Sequence, residues 1–183
     1  TLICIGPLAM YISTLLVGLF NFLYGLSPVI AGAIIGGSRL FVVMTGMHLS
    51  LSTIALGNIA EMGYDWLLPM NTMGTLALFG ACLAFRIKAK KSENKQIGAS
   101  TAISAFIGIT EPGIYGVLLK FKNALLSVML AGAVGGAFVA FFGGHATAYV
   151  NHASYHCSIM GDGFWAVCTG MGISTVLGFI FVQ

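Results

Sequence analysis

Long apolar runs, separated by short polar segments, dominate the sequence. A helix that crosses a bilayer needs about 20 mostly apolar residues, and four runs meet this requirement: 2–24, 66–85, 124–142 and 164–182. Two further apolar stretches, 29–60 and 97–119, are interrupted and do not have the form of simple spans. The pattern predicts an all-α integral membrane protein with about four transmembrane helices, and residues 1–183 are treated as a single membrane domain.

The positions of the basic residues give the orientation of these segments. Residues 86–95 contain five basic side chains, and Lys120 and Lys122 form a second cluster. The positive-inside rule places both in the cytoplasm, so segment 97–119 starts and finishes on the same side. Thr110-Glu111-Pro112-Gly113 interrupts that segment. These features predict a re-entrant helical hairpin with Glu111 near its tip, and they place residues 144–163 outside the cell.

The stretch 29–60 is predicted to form a second re-entrant hairpin. It is preceded by Ser27-Pro28, is long for one span and is short for two. It contains Arg39 and the run 45–48, Thr-Gly-Met-His. A hairpin that enters from the outer side fits this pattern best. Two opposed hairpins that meet at mid-depth resemble the discontinuous helices of secondary transporters.

The composition excludes water-soluble classes of protein. Charged residues make up 7% and hydrophobic residues 58% of the 183 residues, and the mean hydropathy is +0.97. Soluble proteins carry roughly 25% charged residues, so a soluble enzyme and a nucleic-acid-binding protein are excluded. The first residues, Thr1-Leu2-Ile3, are typical of a chain cut within a longer protein.

Glu111 is the most informative residue, since a carboxylate at membrane depth is costly and usually functional. At a helix break it would accept hydrogen bonds from a polar solute or act as a base; the alternative is a carboxylate that pairs with a basic residue to hold the hairpin closed. His48 has the chemistry to donate to a sugar oxygen or to pair with Glu111, or simply to bond a nearby carbonyl. Arg39 suits a polyol or phosphate, or lies at the outer interface.

The remaining histidines and cysteines do not indicate a metal site. His145, His152, His156 and Cys157 match no compact ligand spacing, and a polar loop is the simpler interpretation. The cysteines are interpreted as free thiols, and a Cys157–Cys168 disulfide has no support from the pattern. We therefore predict no metal and no cofactor.

Three motifs carry a resemblance to a known family. Residues 108–117 read GITEPGIYGV, residues 46–50 read GMHLS and residues 63–69 read GYDWLLP. Together they resemble the enzyme II C component of the bacterial phosphotransferase system (PTS), in the β-glucoside, sucrose and trehalose branch of the glucose superfamily. The likeness covers nearly the whole chain, and the glutamate motif is specific.

The resemblance implies a sugar permease that couples uptake to phosphorylation, in a multi-pass protein of the bacterial cytoplasmic membrane. It implies that Glu111 is catalytic and binds sugar hydroxyls, and that His48, Arg39, Thr110 and Gly113 belong to the substrate site. The implied partners are the sugar, a B-domain phosphocysteine and the lipid bilayer, with no nucleic acid. The family's C component also carries scaffold helices ahead of the substrate domain, through which a homodimer is expected.

The chain departs from the family pattern in two respects. It contains no B-domain phosphocysteine motif and no A-domain histidine, so the phosphoryl group must come from another polypeptide or another part of the protein. Leu49 stands where members of the branch commonly have a tryptophan. An uncoupled transporter for another polar solute, and a folded fragment without its own activity, remain as alternatives.

Overall fold

The computed structural model describes residues 11, 15, 18–19, 22–120, 122–148 and 163–182, and these ranges form an all-α protein without a strand. The predicted span 2–24 lies largely outside them, although the described residues 11, 15, 18, 19 and 22–26 are helical. The helices that follow are α1 (Pro28–Met44), α2 (His48–Met62), α3 (Leu67–Lys88), α4 (Ser92–Ile107), α5 (Glu111–Gly116), a 3₁₀ turn (Leu118–Lys120), α6 (Lys122–Phe141) and α7 (Phe164–Val182).

Helix α3 is the centre of the bundle. It packs against α1, α4, α6 and α7, and 16 of its 22 residues are buried. Helices α3, α6 and α7 are long and apolar enough to cross a membrane, which confirms three of the predicted spans. On α6, Leu126, Leu130 and Val134 recur every fourth residue and are exposed. Since a spacing of four keeps side chains on one helical face, these residues form an exposed apolar stripe along α6.

Glycine pairs allow α1 and α6 to approach closely. Gly32 and Gly36 on α1 face Gly132 and Gly136 on α6, each helix carrying the G-x-x-x-G spacing. A Cβ atom added to any of the four would clash with backbone atoms of the other helix. The pairs are typical of membrane helices, whose association depends on close van der Waals packing.

The predicted hairpin over 29–60 is a helix–turn–helix. Extended Ser27 precedes Pro28, which suits the first turn of α1 because its missing N–H has no partner there. The chain reverses at residues 45–47, where Gly46 has a φ of +76° that a side chain would disfavour. Two helices joined by a turn are confirmed, whereas a re-entrant hairpin that enters from the outer side stays a prediction.

The second hairpin is formed by α4 and α5. Helix α4 ends at Gly108, with a φ of +105°, and α5 begins at Glu111. The break therefore lies at 108–110, slightly before the predicted position of 110–113. Pro112 belongs to the first turn of α5. A proline is tolerated there because the N–H that it lacks would have no partner within the helix.

The loop before α3 meets the loop after α6, which was predicted to lie outside the cell, at one end of the bundle. Asp65 and Ala146 exchange backbone hydrogen bonds of 2.7 Å, and the rings of Tyr64 and His145 pack edge to face. The nearby Trp66 stands at the start of a span, a position typical of a tryptophan of the membrane interface. It is buried and stacks on Tyr24, with ring centroids 4.2 Å apart.

Asp65 is a buried carboxyl group that joins α2 to α3. Asn58 Nδ2 on α2 donates to Oδ1, and the Leu68 amide in the first turn of α3 donates to Oδ2, both at 2.7 Å. Burial raises the pKa of Asp65, while these donated hydrogen bonds act in the opposite direction. The carboxyl group is thus shielded from water, and the hydrogen bonds donated by Asn58 and Leu68 compensate for the lost solvation.

We expect Asp65→Ala and Asn58→Ala each to lower the free energy of unfolding by about 1–3 kcal/mol, because each leaves buried polar partners unsatisfied. The double variant should lose less than the sum, since both changes remove the same contact. Thermal unfolding of the four proteins in detergent measures this coupling. Strictly additive losses would mean that the Asn58–Asp65 hydrogen bond contributes nothing.

Candidate functional site

The tips of the two hairpins meet. His48 is the first residue of α2, Glu111 is the first residue of α5, and 3.8 Å separates His48 Nε2 from Glu111 Oε1. These are the two residues for which the sequence analysis predicted chemistry in separate hairpins. The structure therefore brings together groups that lie 63 positions apart in the sequence (111 − 48).

Local sequence explains why both side chains stand at a tip. Gly46 and Gly108 adopt left-handed conformations within the two turns. Such a glycine ends a helix and reverses the chain within a few residues. Since α2 starts two residues after Gly46 and α5 three residues after Gly108, His48 and Glu111 each occupy the first position after a reversal.

The gap between the two groups has the size of a hydroxyl site. A separation of 3.8 Å is too long for a direct hydrogen bond. One oxygen atom can nevertheless lie about 2.8 Å from both Nε2 and Oε1, which is an ordinary hydrogen-bond length. The two side chains are 24% and 46% exposed, so the gap is accessible.

His48 also has an unused polar atom. Its Nδ1 is buried and has no hydrogen-bond partner among the described residues. Buried polar atoms without a partner are uncommon in folded proteins and often indicate a functional position. The alternative interpretation of His48, a hydrogen bond to a nearby carbonyl, therefore has no support from Nδ1 among the described residues.

Arg39 lies close to the hairpin tips. It is half-buried on α1, close enough for its charge to act on the His48 imidazole. A Cβ atom on Gly74 of α3 would lie 2.6 Å from the Arg39 Cβ and 2.7 Å from the Gly36 carbonyl oxygen, so glycine lets α1 approach α3 closely at Arg39. Gly74 was not among the predicted site residues, since no local pattern distinguishes it from the other glycines of the spans.

Thr110 and Gly113, the other two predicted site residues, are buried beside Glu111. The Thr110 carbonyl accepts a hydrogen bond from the Ile114 amide and so begins α5. A Cβ atom on Gly113 would lie 3.1 Å from the Leu78 side chain, so this glycine seats α5 on α3. Both residues position Glu111, and direct contact of either with a substrate stays a prediction.

Comparison with known proteins agrees with this arrangement. The sequence model of the family described as "Phosphotransferase system, EIIC" matches residues 1–136. The chain belongs to the EIIC family of the phosphotransferase system. The resemblance predicted from the three motifs is thereby confirmed at the level of the family.

Several EIIC-containing proteins are similar to this chain. The sucrose-specific EIIBC component of Bacillus subtilis is 40% identical over 147 residues, which cover 80% of this chain and 32% of the relative. The β-glucoside-specific EIIBCA component of Halalkalibacterium halodurans is 39% identical over 142 residues, covering 78% of this chain and 22% of the relative. The sucrose-specific EIIBC component of Pasteurella multocida is 30% identical over 179 residues, covering 96% and 38%. This chain thus spans about a third or less of the first two relatives, and no solved structure matches it significantly.

The candidate site offers hydrogen bonding and charge. A carboxylate, an imidazole and a guanidinium together supply acceptors and donors for a polyhydroxylated solute. Within the described residues no three His, Cys, Asp or Glu side chains cluster as metal ligands. His145 bonds the Gly143 carbonyl at 3.0 Å, whereas His152, His156 and Cys157 lie outside the described residues.

Proposed function

We propose that this EIIC chain binds a sugar of the sucrose, β-glucoside or trehalose type between its two hairpin tips and moves it across the bacterial cytoplasmic membrane. Transport is coupled to phosphorylation of the sugar by a B-domain phosphocysteine. The observation that carries the proposal is the approach of His48 to Glu111 at 3.8 Å, in a chain of the EIIC family. The printed names of the relatives, sucrose-specific and β-glucoside-specific, support the class of sugar.

Glu111 is proposed to act as the base. A sugar hydroxyl in the gap donates to Oε1 of Glu111 and accepts from Nε2 of His48 when that nitrogen carries its proton. Attack of the hydroxyl oxygen on phosphorus forms the O–P bond and breaks the S–P bond of the phosphocysteine. The hydroxyl proton passes to Glu111, and the thiolate leaves with the electron pair of the broken bond.

The proposal requires parts of the permease beyond residues 1–183. The relatives are EIIBC and EIIBCA components, which supports a B domain as the source of the phosphoryl group. The chain is then the substrate-binding half of an EIIC domain, and scaffold helices would form the homodimer. Alternating access would come from movement of this half against the scaffold.

Binding of a panel of labelled sugars to the purified, detergent-solubilised protein tests the substrate. We expect saturable binding of one sugar by the wild type and at least a tenfold loss in Glu111→Gln, because an amide accepts more weakly than a carboxylate. Glu93→Gln is the matched control, since Glu93 is an exposed carboxylate in the first turn of α4.

The outcomes separate the competing functions. Equal binding by wild type and Glu111→Gln would contradict the assignment of Glu111. Sugar flux in vesicles without phosphorylation, in the presence of the phosphorylated B domain, would indicate an uncoupled transporter. An inert but folded chain would mean either that the scaffold is required or that the fragment has no activity of its own, and the full-length EIIC component distinguishes these two.

A further inference from the structure

A cavity lies at the opposite end of α3 from Asp65. It has a volume of about 350 Å³ and forms where the last turns of α3 and α7 meet the first turn of α6. Its walls are mostly apolar, and Lys88 is the charged side chain that lines it. The apolar lining residues are Phe85, Ala89, Val117, Ala124, Phe181 and Val182.

The cavity opens where these spanning helices end. Helices α3, α6 and α7 are candidate membrane spans, so their ends lie at the level where the hydrocarbon core meets the lipid headgroups. The Ser127 hydroxyl donates to the Phe181 carbonyl at 3.0 Å and fixes α6 against α7 beside the cavity. The recess therefore lies at the depth of the lipid headgroups and the adjoining parts of their acyl chains.

The surroundings of the cavity are strongly positive. Residues 86–95 carry five basic side chains and one carboxylate, a net charge of +4 (5 − 1). In the part of the chain that the structure describes, none of the five forms an ion pair, although Glu93 lies in the same segment. All five are exposed: Arg86, Lys88, Lys90, Lys91 and Lys95.

We propose that this cavity is a binding site for an anionic phospholipid of the cytoplasmic leaflet. One acyl chain occupies the apolar recess, and the headgroup phosphate pairs with Lys88 and is held in the field of the basic loop. A volume of about 350 Å³ falls within the range of small-molecule sites. Basic pockets between membrane helices on the cytoplasmic side are known to select anionic headgroups. The proposal is independent of the sugar site.

A lipid complements both the apolar walls and the positive charge of this cavity, whereas a soluble anion complements only the charge. A free phosphate would pair with the lysines but would not cover the apolar walls. A neutral lipid would fill the recess but leave the unpaired positive charges without a partner. Only an amphiphile with an anionic head covers both surfaces at once, because burial of the chain and charge pairing act together.

Native mass spectrometry of the delipidated protein, with added phosphatidylglycerol or phosphatidylcholine, tests the site. We expect phosphatidylglycerol adducts on the wild type and about fivefold weaker binding in Lys88→Gln, the change expected for one lysine near the surface. Lys91→Gln is the matched control, because it removes the same charge from the same loop without lining the cavity. Ala89→Trp, which fills the recess, should weaken binding while leaving the loop charge intact.

Three results would overturn the proposal. Equal binding of phosphatidylcholine and phosphatidylglycerol would show that the headgroup charge does not contribute to binding. Equal losses in Lys88→Gln and Lys91→Gln would indicate diffuse attraction to the loop and no defined site. Full competition by glycerol 3-phosphate, which has the headgroup phosphate without acyl chains, would indicate a site for soluble anions. Since Lys88 is exposed, its substitution is not expected to prevent folding, and thermal unfolding of each variant checks this.

Discussion

Glu111→Gln is expected to lower the rate of phosphoryl transfer from a phosphorylated B domain to sugar by about 10²–10⁴-fold, the range attributed to general-base catalysis. The amide keeps the shape of the side chain at the tip of α5 but cannot take the hydroxyl proton. Most of the loss should appear in kcat, because proton transfer belongs to the chemical step. The assay uses the full permease, with the rate of sugar phosphate formation measured at varied sugar concentration.

Two further variants show whether the geometry of the tips matters. Glu111→Asp keeps the base but withdraws it from His48 Nε2, which is 3.8 Å away in the wild type, so it should recover part of kcat. His48→Gln removes the imidazole from the other side of the gap and should raise KM more than it lowers kcat. If Glu111→Gln phosphorylates sugar as fast as the wild type, Glu111 is not the base.

The second large effect is expected in stability. Gly36→Ala should lower the free energy of unfolding by about 3 kcal/mol, at the upper end of the usual cost of overpacking. The new methyl group would clash with the Gly132 carbonyl oxygen and lie 3.0 Å from its carbonyl carbon, and backbone atoms cannot change rotamer to avoid it. Helices α1 and α6 would have to separate, and α1 leads directly to the hairpin tip at His48. Thermal unfolding in detergent measures the loss.

Gly172→Ala provides the matched control. Gly172 is a helical glycine of α7 that is exposed and has no atom within 4 Å of the position a Cβ would take. Its substitution should not lower the free energy of unfolding and should raise it by about 0.5–1 kcal/mol, because alanine is favoured over glycine within a helix. Equal unfolding midpoints for the two variants would show that the α1–α6 contact is looser than the structure indicates.

The spans were predictable because the membrane imposes their length. A bilayer requires about 20 apolar residues per crossing, and the boundaries predicted for α3, α6 and α7 differ from the observed ones by no more than about three residues. The turn after Gly108 was placed slightly too late, because Pro112 suggested a break at its own position. The sequence alone does not distinguish a proline in the first turn of a helix from a proline that ends a helix.

Trp66 shows the limit of positional patterns. Its place at the start of a span is typical of a tryptophan at the membrane interface, and Trp165, at the start of α7, is indeed 78% exposed. Trp66 is buried because Tyr24, 42 positions earlier (66 − 24), stacks on its ring. No pattern around either residue encodes that contact.

The sequence by itself determined the all-α membrane class, three of the spans, the two hairpins and the candidate residues Glu111, His48 and Arg39, since each depends on local composition, chain length or a short motif. The tertiary structure alone decided that His48 and Glu111 face each other across 3.8 Å, that Gly74 lets α1 approach α3 closely at Arg39, and that an apolar cavity lies beside Lys88. These features depend on which helices pack together and at what depth. Packing is a property of side-chain volumes summed over the whole bundle, and no single segment of the chain contains it.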